Sequence, residues 1–183
     1  HMTRVGLDLY LEMLEEAVAR LKGTPAALET ETELNLGLPA HIPQTYIDDG
    51  RERLRYYKSL ASASSGAARE EAALAMRDRF GPYPPEVANF LAVLDFKQFL
   101  RSLQVQRADI SPDHVRLTWA EGQRAAAPER IVALATATRG ARLLPPAGLF
   151  LPLPEGDVGA GLRALREKLE RVRLAPGNEG ARA

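Results

Sequence analysis

Histidine, serine and the acidic residues are the types in this chain that could carry acid–base or nucleophilic chemistry, because cysteine is absent. That absence removes thiolate nucleophiles, disulfides and thiolate metal sites together. Of the three histidines, His1 belongs to His1-Met2, which reads as an expression-vector remnant. His41 and His114 are left, and neither shares an H-x-x-x-H or H-E-x-x-H spacing that would aim two imidazoles at one zinc ion. His41 lies between Pro39 and Pro43 in a surface segment, with no neighbouring serine–acid pattern, and His114 stands beside a turn that enters a strand. Ser59, Ser62, Ser64 and Ser65 cluster without a G-x-S-x-G elbow and suit a helix end followed by a loop. Asp48-Asp49 is a carboxylate pair in form, but its place just before a helical stretch suits capping, where a carboxylate accepts backbone N–H bonds.

Phosphate chemistry is no better supported. No G-x-x-x-x-G-K-[ST] loop occurs, so ATP chemistry within this chain is not expected. Gly159-Ala160-Gly161-Leu162-Arg163-Ala164 fits the G-x-G-x-x-G/A string formally. A dinucleotide site also needs a strand before it and a second strand bearing an acidic residue about 20 residues on. Here the following helix runs into a polar tail, so the glycines read as a flexible helix entry. No catalytic residue, metal or cofactor is expected.

The elements follow from periodicity. Leu7, Leu11, Leu14, Val18 and Leu21 mark one face of a helix from about Val5 to Lys22, stopped by Gly23 and Pro25. A short strand is expected over Leu34–Leu38, then helices from about 50 to 62, 67 to 80 and 85 to 103. Their inner faces carry Leu54, Tyr57 and Leu60, then Ala73, Met76 and Phe80; the third is apolar on several sides, as buried helices are. After residue 103 the period shortens. Val105–Ile110 reads as a strand, Ser111-Pro112-Asp113 as a turn, and Val115, Leu117 and Trp119 alternate with polar residues as a half-buried strand does. Pro128 opens a short helix, and Leu143-Leu144 and Leu149, Leu151 and Leu153 are further strand candidates. A last amphipathic helix carries Leu162, Leu165, Leu169 and Val172. The expected class is α+β. A helix-rich first lobe of about four helices and a short strand (about 5–103) is followed by a smaller mixed β/α lobe (about 104–174). The two form one domain over 3–174, and 175–183 reads as a disordered tail.

Composition is that of a folded protein, 45% hydrophobic and 26% charged over 183 residues. No stretch approaches the roughly 20 apolar residues of a membrane helix, no signal peptide is visible, and the lack of cysteine suits the cytoplasm. Lys+Arg and Asp+Glu both number 24, so the basic excess of a dedicated nucleic-acid binder is missing.

Read in order, several segments resemble one family. They are Val5-Gly6-Leu7-Asp8-Leu9-Tyr10 with Met13-Leu14-Glu15-Glu16-Ala17-Val18; Glu33-Leu34-Asn35-Leu36; Ile42-Pro43 with Tyr46-Ile47; Arg53-Leu54 with Tyr57-Lys58 and Leu60-Ala61-Ser62-Ala63; and Asp78-Arg79-Phe80-Gly81 with Pro84. The ordered set, over roughly 4–103, resembles the C-terminal domain of bacterial transcription-repair coupling factors. The resemblance implies a parent protein that is an ATP-dependent DNA translocase, displacing stalled RNA polymerase and recruiting UvrA, with its motors upstream of this segment. It implies that the domain packs on the parent's own UvrB-like N-terminal module, covering the UvrA-binding surface and restraining the motor. The family's contact surface includes the end of the helix expected over 67–80, which maps to Asp78, facing basic groups, and to its neighbour Arg79. Many relatives place a Glu three residues before that Asp; this chain has Ala75, so one acidic contact is absent.

Two other functions compete. A nucleic-acid-binding accessory module would use Arg51, Arg53 and Arg55, with Arg101 and Arg107 further on, against the neutral net charge. A small hydrolase would need a nucleophile–base arrangement that the sequence does not offer.

Overall fold

A computed structural model describes residues 31–174. The helix expected over 5–22 and the tail after 175 lie outside the described residues. Among the described residues the chain forms five helices and five strands, an α+β fold. They group into two compact units, one of residues 38–95 and one of residues 31–37 with 96–174.

The first unit is helical. Asp49 caps α1 (Gly50–Ala61), its carboxylate accepting from the Glu52 N–H at 2.8 Å. Ser62 closes that helix by donating from Oγ to the Lys58 carbonyl at 2.6 Å, and Ser65 caps α2 (Gly66–Phe80) by accepting from the Ala68 N–H at 3.1 Å. The serine cluster therefore closes one helix and opens the next, because short hydroxyls satisfy backbone groups that helix ends leave unpaired. Gly81 ends α2 at φ 89°, in the left-handed region that favours glycine. Pro85 then begins α3 (Pro85–Ser102). Ile42, Ile47, Tyr57, Leu60, Met76, Val87, Phe90 and Val93 are buried. The Tyr57 hydroxyl accepts from the Ile42 N–H, and its ring meets Phe90 edge-on at 5.2 Å.

Arg69 is the buried cation of this unit. Its Nη1 lies 2.6 Å from Asp95 Oδ1, and its Nε donates to the Leu60 carbonyl at 3.2 Å. It thereby ties the start of α2 to the last turn of α1 and to α3.

The second unit holds one mixed sheet. Strands β1 (Glu33–Leu36), β2 (Val105–Ile110), β3 (His114–Trp119), β4 (Arg142–Leu144) and β5 (Gly148–Pro152) lie in the order β1-β2-β3-β5-β4. β1 runs parallel to β2, and the other pairs are antiparallel. Ala108, Ile110, Val115, Leu117, Leu149 and Leu151 fill the inner face and are fully buried. Helix α4 (Pro128–Ala137) packs on β4 and β5. Helix α5 (Val158–Glu170) buries Leu162, Leu165 and Leu169, as its period predicts.

The glycine string has a packing role. Gly159 and Gly161 are buried inside α5, whose cap is Asp157, and a Cβ at Gly161 would stand 2.9 Å from Leu153 Cδ2. The glycine lets the helix approach the chain after β5.

Candidate functional site

The residues assigned by resemblance sit at the C-terminal end of α2. The inward phase of this helix is Arg69, Ala73 and Met76, all buried, with Phe80 half-buried behind them. The opposite side carries Glu71, Leu74, Ala75 and Asp78, all exposed. These positions recur at spacings of three and four and so share one face. Leu74 is 41% exposed, one of four large hydrophobic side chains so placed among the described residues. Asp78 has no ion pair or hydrogen bond among the described residues, so its carboxylate is available to an outside cation.

Arg79 is adjacent in sequence but engaged differently. Its guanidinium makes a 2.6 Å ion pair with Glu52 of α1 and lies 5.2 Å from the Phe80 ring centroid. At 60% exposure its head group remains reachable from solvent while serving the α1–α2 pair. The structure thus places Asp78 and Arg79 at one helix end, with Asp78 free and Arg79 occupied.

Below them an aromatic cluster fixes that end. Phe80 meets Tyr46 at 5.9 Å and Tyr56 edge-on at 5.7 Å. The Tyr46 hydroxyl donates to the Gly81 carbonyl at 2.7 Å, and the Tyr83 hydroxyl donates to the Ala73 carbonyl. Burial pushes the Tyr46 and Tyr83 phenols up from their ordinary value; for Tyr83 the Arg77 cation opposes this and the Asp78 carboxylate adds to it. Both phenols stay protonated donors at neutral pH.

The remaining chemistry-bearing residues stand apart. His41 is exposed, and its backbone N–H donates to the Glu86 carbonyl. His114 pairs through Nδ1 with Asp113 at 2.7 Å and stacks on Phe150. Among the described residues no group of three or more His, Cys, Asp or Glu could hold a metal ion. Of the arginines weighed for nucleic acid, Arg53 donates to the Ile47 and Asp48 carbonyls, and Arg107 pairs with Asp109 and Glu33. The sequence reading missed the exposure of Leu74. The signal was present, since Leu74 falls out of phase with the inward set of Ala73 and Met76.

The fold is an α+β module whose exposed helix face sets a free carboxylate beside an apolar side chain. A family model, the TRCF domain, matches residues 36–130, over half of the chain, and the chain belongs to that family. It is 41% identical over 118 residues to the transcription-repair-coupling factor of Bacillus subtilis (strain 168), covering 64% of this chain and 10% of that protein. It is 28% identical over 171 residues to the factor of Myxococcus xanthus, covering 93% of this chain and 14% of that protein. The Escherichia coli (strain K12) factor is 34% identical over 113 residues, 59% of this chain and 10% of that protein. A crystal structure of the C-terminal domain of transcription-repair coupling factor superposes with a TM-score of 0.65 at 25% identity, covering 80% of this chain and 98% of that one. The chain thus spans about a tenth of the length of the curated relatives it matches. No helix among the described residues is long and apolar enough to cross a membrane.

Proposed function

We propose that this chain is the non-catalytic regulatory domain of a cytoplasmic, transcription-repair coupling DNA translocase. It docks on the same protein's UvrB-like N-terminal module, masks the UvrA-binding surface and restrains the motor. UvrA, RNA polymerase and DNA are then reached indirectly, through the full-length protein. The observation that carries this reading is the exposed, unpaired carboxylate of Asp78 one turn from the exposed Leu74. A charge beside an apolar side chain suits a small, selective contact: the charge sets register and partner, and the apolar side chain adds area.

Such a contact suffices when the partners share one chain. Tethering gives an effective concentration of about 1 mM, so an intrinsic Kd of about 0.1 mM keeps roughly ten molecules docked for each one open. A ligand that costs the docked state about 1.4 kcal/mol then equalises the two populations. Ala75, which cannot supply a second carboxylate, fits a contact at the weak end of this range.

Titrating this chain with the separately produced UvrB-like module of the same protein tests the reading. Saturable binding is expected, weakened about tenfold by Asp78→Ala with the thermal unfolding midpoint unchanged. Absence of binding up to millimolar concentrations would remove the docking role. Equal affinity of the variant would remove Asp78 from the contact.

A further inference from the structure

The outward face of the sheet carries a second arrangement, on the unit that lacks Asp78. Strand alternation puts His114, Arg116 and Thr118 of β3 on the face opposite the core, together with Phe150 and Pro152 of β5 and Arg142 and Leu144 of β4. The register sets Arg116, Phe150 and Arg142 directly opposite one another across three strands. Arg116 and Arg142 are exposed, and Phe150 is half-exposed between them.

Neither arginine is spent on a carboxylate. Asp109 is the cross-strand neighbour of Arg116, yet its Oδ1 bonds Arg107 at 3.2 Å. Neither Arg116 nor Arg142 has an ion-pair partner among the described residues. The Arg142 guanidinium carbon lies 4.5 Å from the Phe150 centroid, and the His114 imidazole stacks on the same ring at 5.0 Å and 22°. Imidazole and guanidinium thus both pack on the phenyl ring, grouping three flat side chains on the outward face of the sheet. Held against the ring, Arg142 has less side-chain freedom left to lose on binding. Of the acidic residues near this face, Glu33 and Asp109 lie on β1 and β2, and Asp113, in the turn before β3, is held by His114, leaving Arg116 and Arg142 as the charged side chains of the outward β3, β5 and β4 rows.

We propose that this side of the sheet binds single-stranded nucleic acid. Two unpaired guanidiniums separated by two strand spacings, about 10 Å at the backbone, can each take one phosphate of an extended strand. The exposed Arg142 guanidinium, backed by the Phe150 ring, offers a flat surface for stacking to unpaired bases, which a duplex keeps inside its helix. An acidic peptide would use the cations and leave the flat groups unused. With only two phosphates neutralised, the interaction is weak and salt-sensitive, which fits the chain's zero net charge.

Fluorescence anisotropy of a short labelled oligothymidylate, titrated with this chain at low salt, tests the proposal. Saturable binding is expected, with a log–log salt slope of about −1.4 from two phosphates at roughly −0.7 each. A tenfold rise in salt then weakens binding about 25-fold. The Arg116→Ala/Arg142→Ala double variant, altered only at exposed side chains, is expected to lose the salt-sensitive binding while keeping its far-UV circular dichroism and unfolding midpoint. Should the double variant unfold, Arg116→Gln alone carries the test and is expected to reduce the slope by about 0.7. Failure to saturate at low salt overturns the proposal, as does an unchanged affinity in a folded variant. Equal binding of a duplex, or equal competition by polyglutamate, overturns it too, by removing the role of the bases.

Discussion

Arg69 positions the helix that bears Asp78, so replacing it tests how the candidate surface is held. Its guanidinium bonds Asp95 at 2.6 Å and the Leu60 carbonyl at 3.2 Å, with the Arg69 side chain 8% exposed and Asp95 55% exposed. Arg69→Met keeps most of the aliphatic volume, so the lesion is mainly polar. It leaves the Leu60 carbonyl, one of the last four acceptors of α1, without this donor, and a buried acceptor left unmade costs about 1–3 kcal/mol. The Asp95 bond contributes less than a buried ion pair would, because water reaches the freed carboxylate. The expected loss is about 2–3 kcal/mol for Arg69→Met. Asp95→Ala is expected to cost about 1 kcal/mol, since the guanidinium keeps its bond to Leu60. Urea unfolding followed by far-UV circular dichroism, which reports the helices, measures both. If both variants fall within about 0.5 kcal/mol of the parent, the tie between helices is not structural. If Asp95→Ala costs more than Arg69→Met, the carbonyl argument fails, and the stranded cation becomes the dominant cost.

Two further outcomes follow from close packing and from charge. A Cβ at Gly148 would lie 2.9 Å from both the Leu144 Cβ and the Leu144 carbonyl oxygen, and 3.2 Å from the Leu117 carbonyl, so Gly148→Ala is expected to cost about 2–3 kcal/mol by prising β4 from β5. The single tryptophan, Trp119, whose backbone N–H donates to the Ala147 carbonyl beside that corner, provides the fluorescence signal, and an unchanged unfolding midpoint would refute the steric reading. Glu170 is held below the usual carboxylate range, first by its hydrogen bond from Arg173. A depressed folded pKa contributes stability above the unfolded value and loses it as pH falls through the folded one. The stability gap between the parent and Glu170→Gln, well under about 1 kcal/mol for so exposed a pair, should therefore be present at neutral pH and close below about pH 4. A gap that widens on acidification would contradict the assignment.

Local chemistry was legible wherever one residue type solves one backbone problem. Asp49 and Ser65 cap the helices expected to follow them, Gly81 ends α2, and Val115, Leu117 and Trp119 face inward as their alternation requires. Parallel pairing was not legible. β1 joins β2 across some 70 residues, with Leu36 opposite Ile110, and no local period encodes which strand a short apolar run will choose. The candidate contact at Asp78 rests on a motif, whereas its neighbour Leu74 needed only a phase comparison along the helix.

The cationic row on the sheet shows why net charge is a poor guide to local surface. Zero net charge counts heavily against nucleic acid when charges mix evenly, and two of the five arginines weighed from sequence are engaged: Arg53 with backbone carbonyls and Arg107 with Asp109 and Glu33. Register decides the rest. Pairing of β3 with β5, and of β5 with β4, brings Arg116 and Arg142 into register with one residue, Phe150, although 26 positions separate them in the chain. Asp109, the one carboxylate in register with Arg116, is turned to Arg107 instead. A balanced chain can therefore hold an unbalanced patch. That separation lies in the strand order, which pairs the third strand with the fifth rather than the fourth.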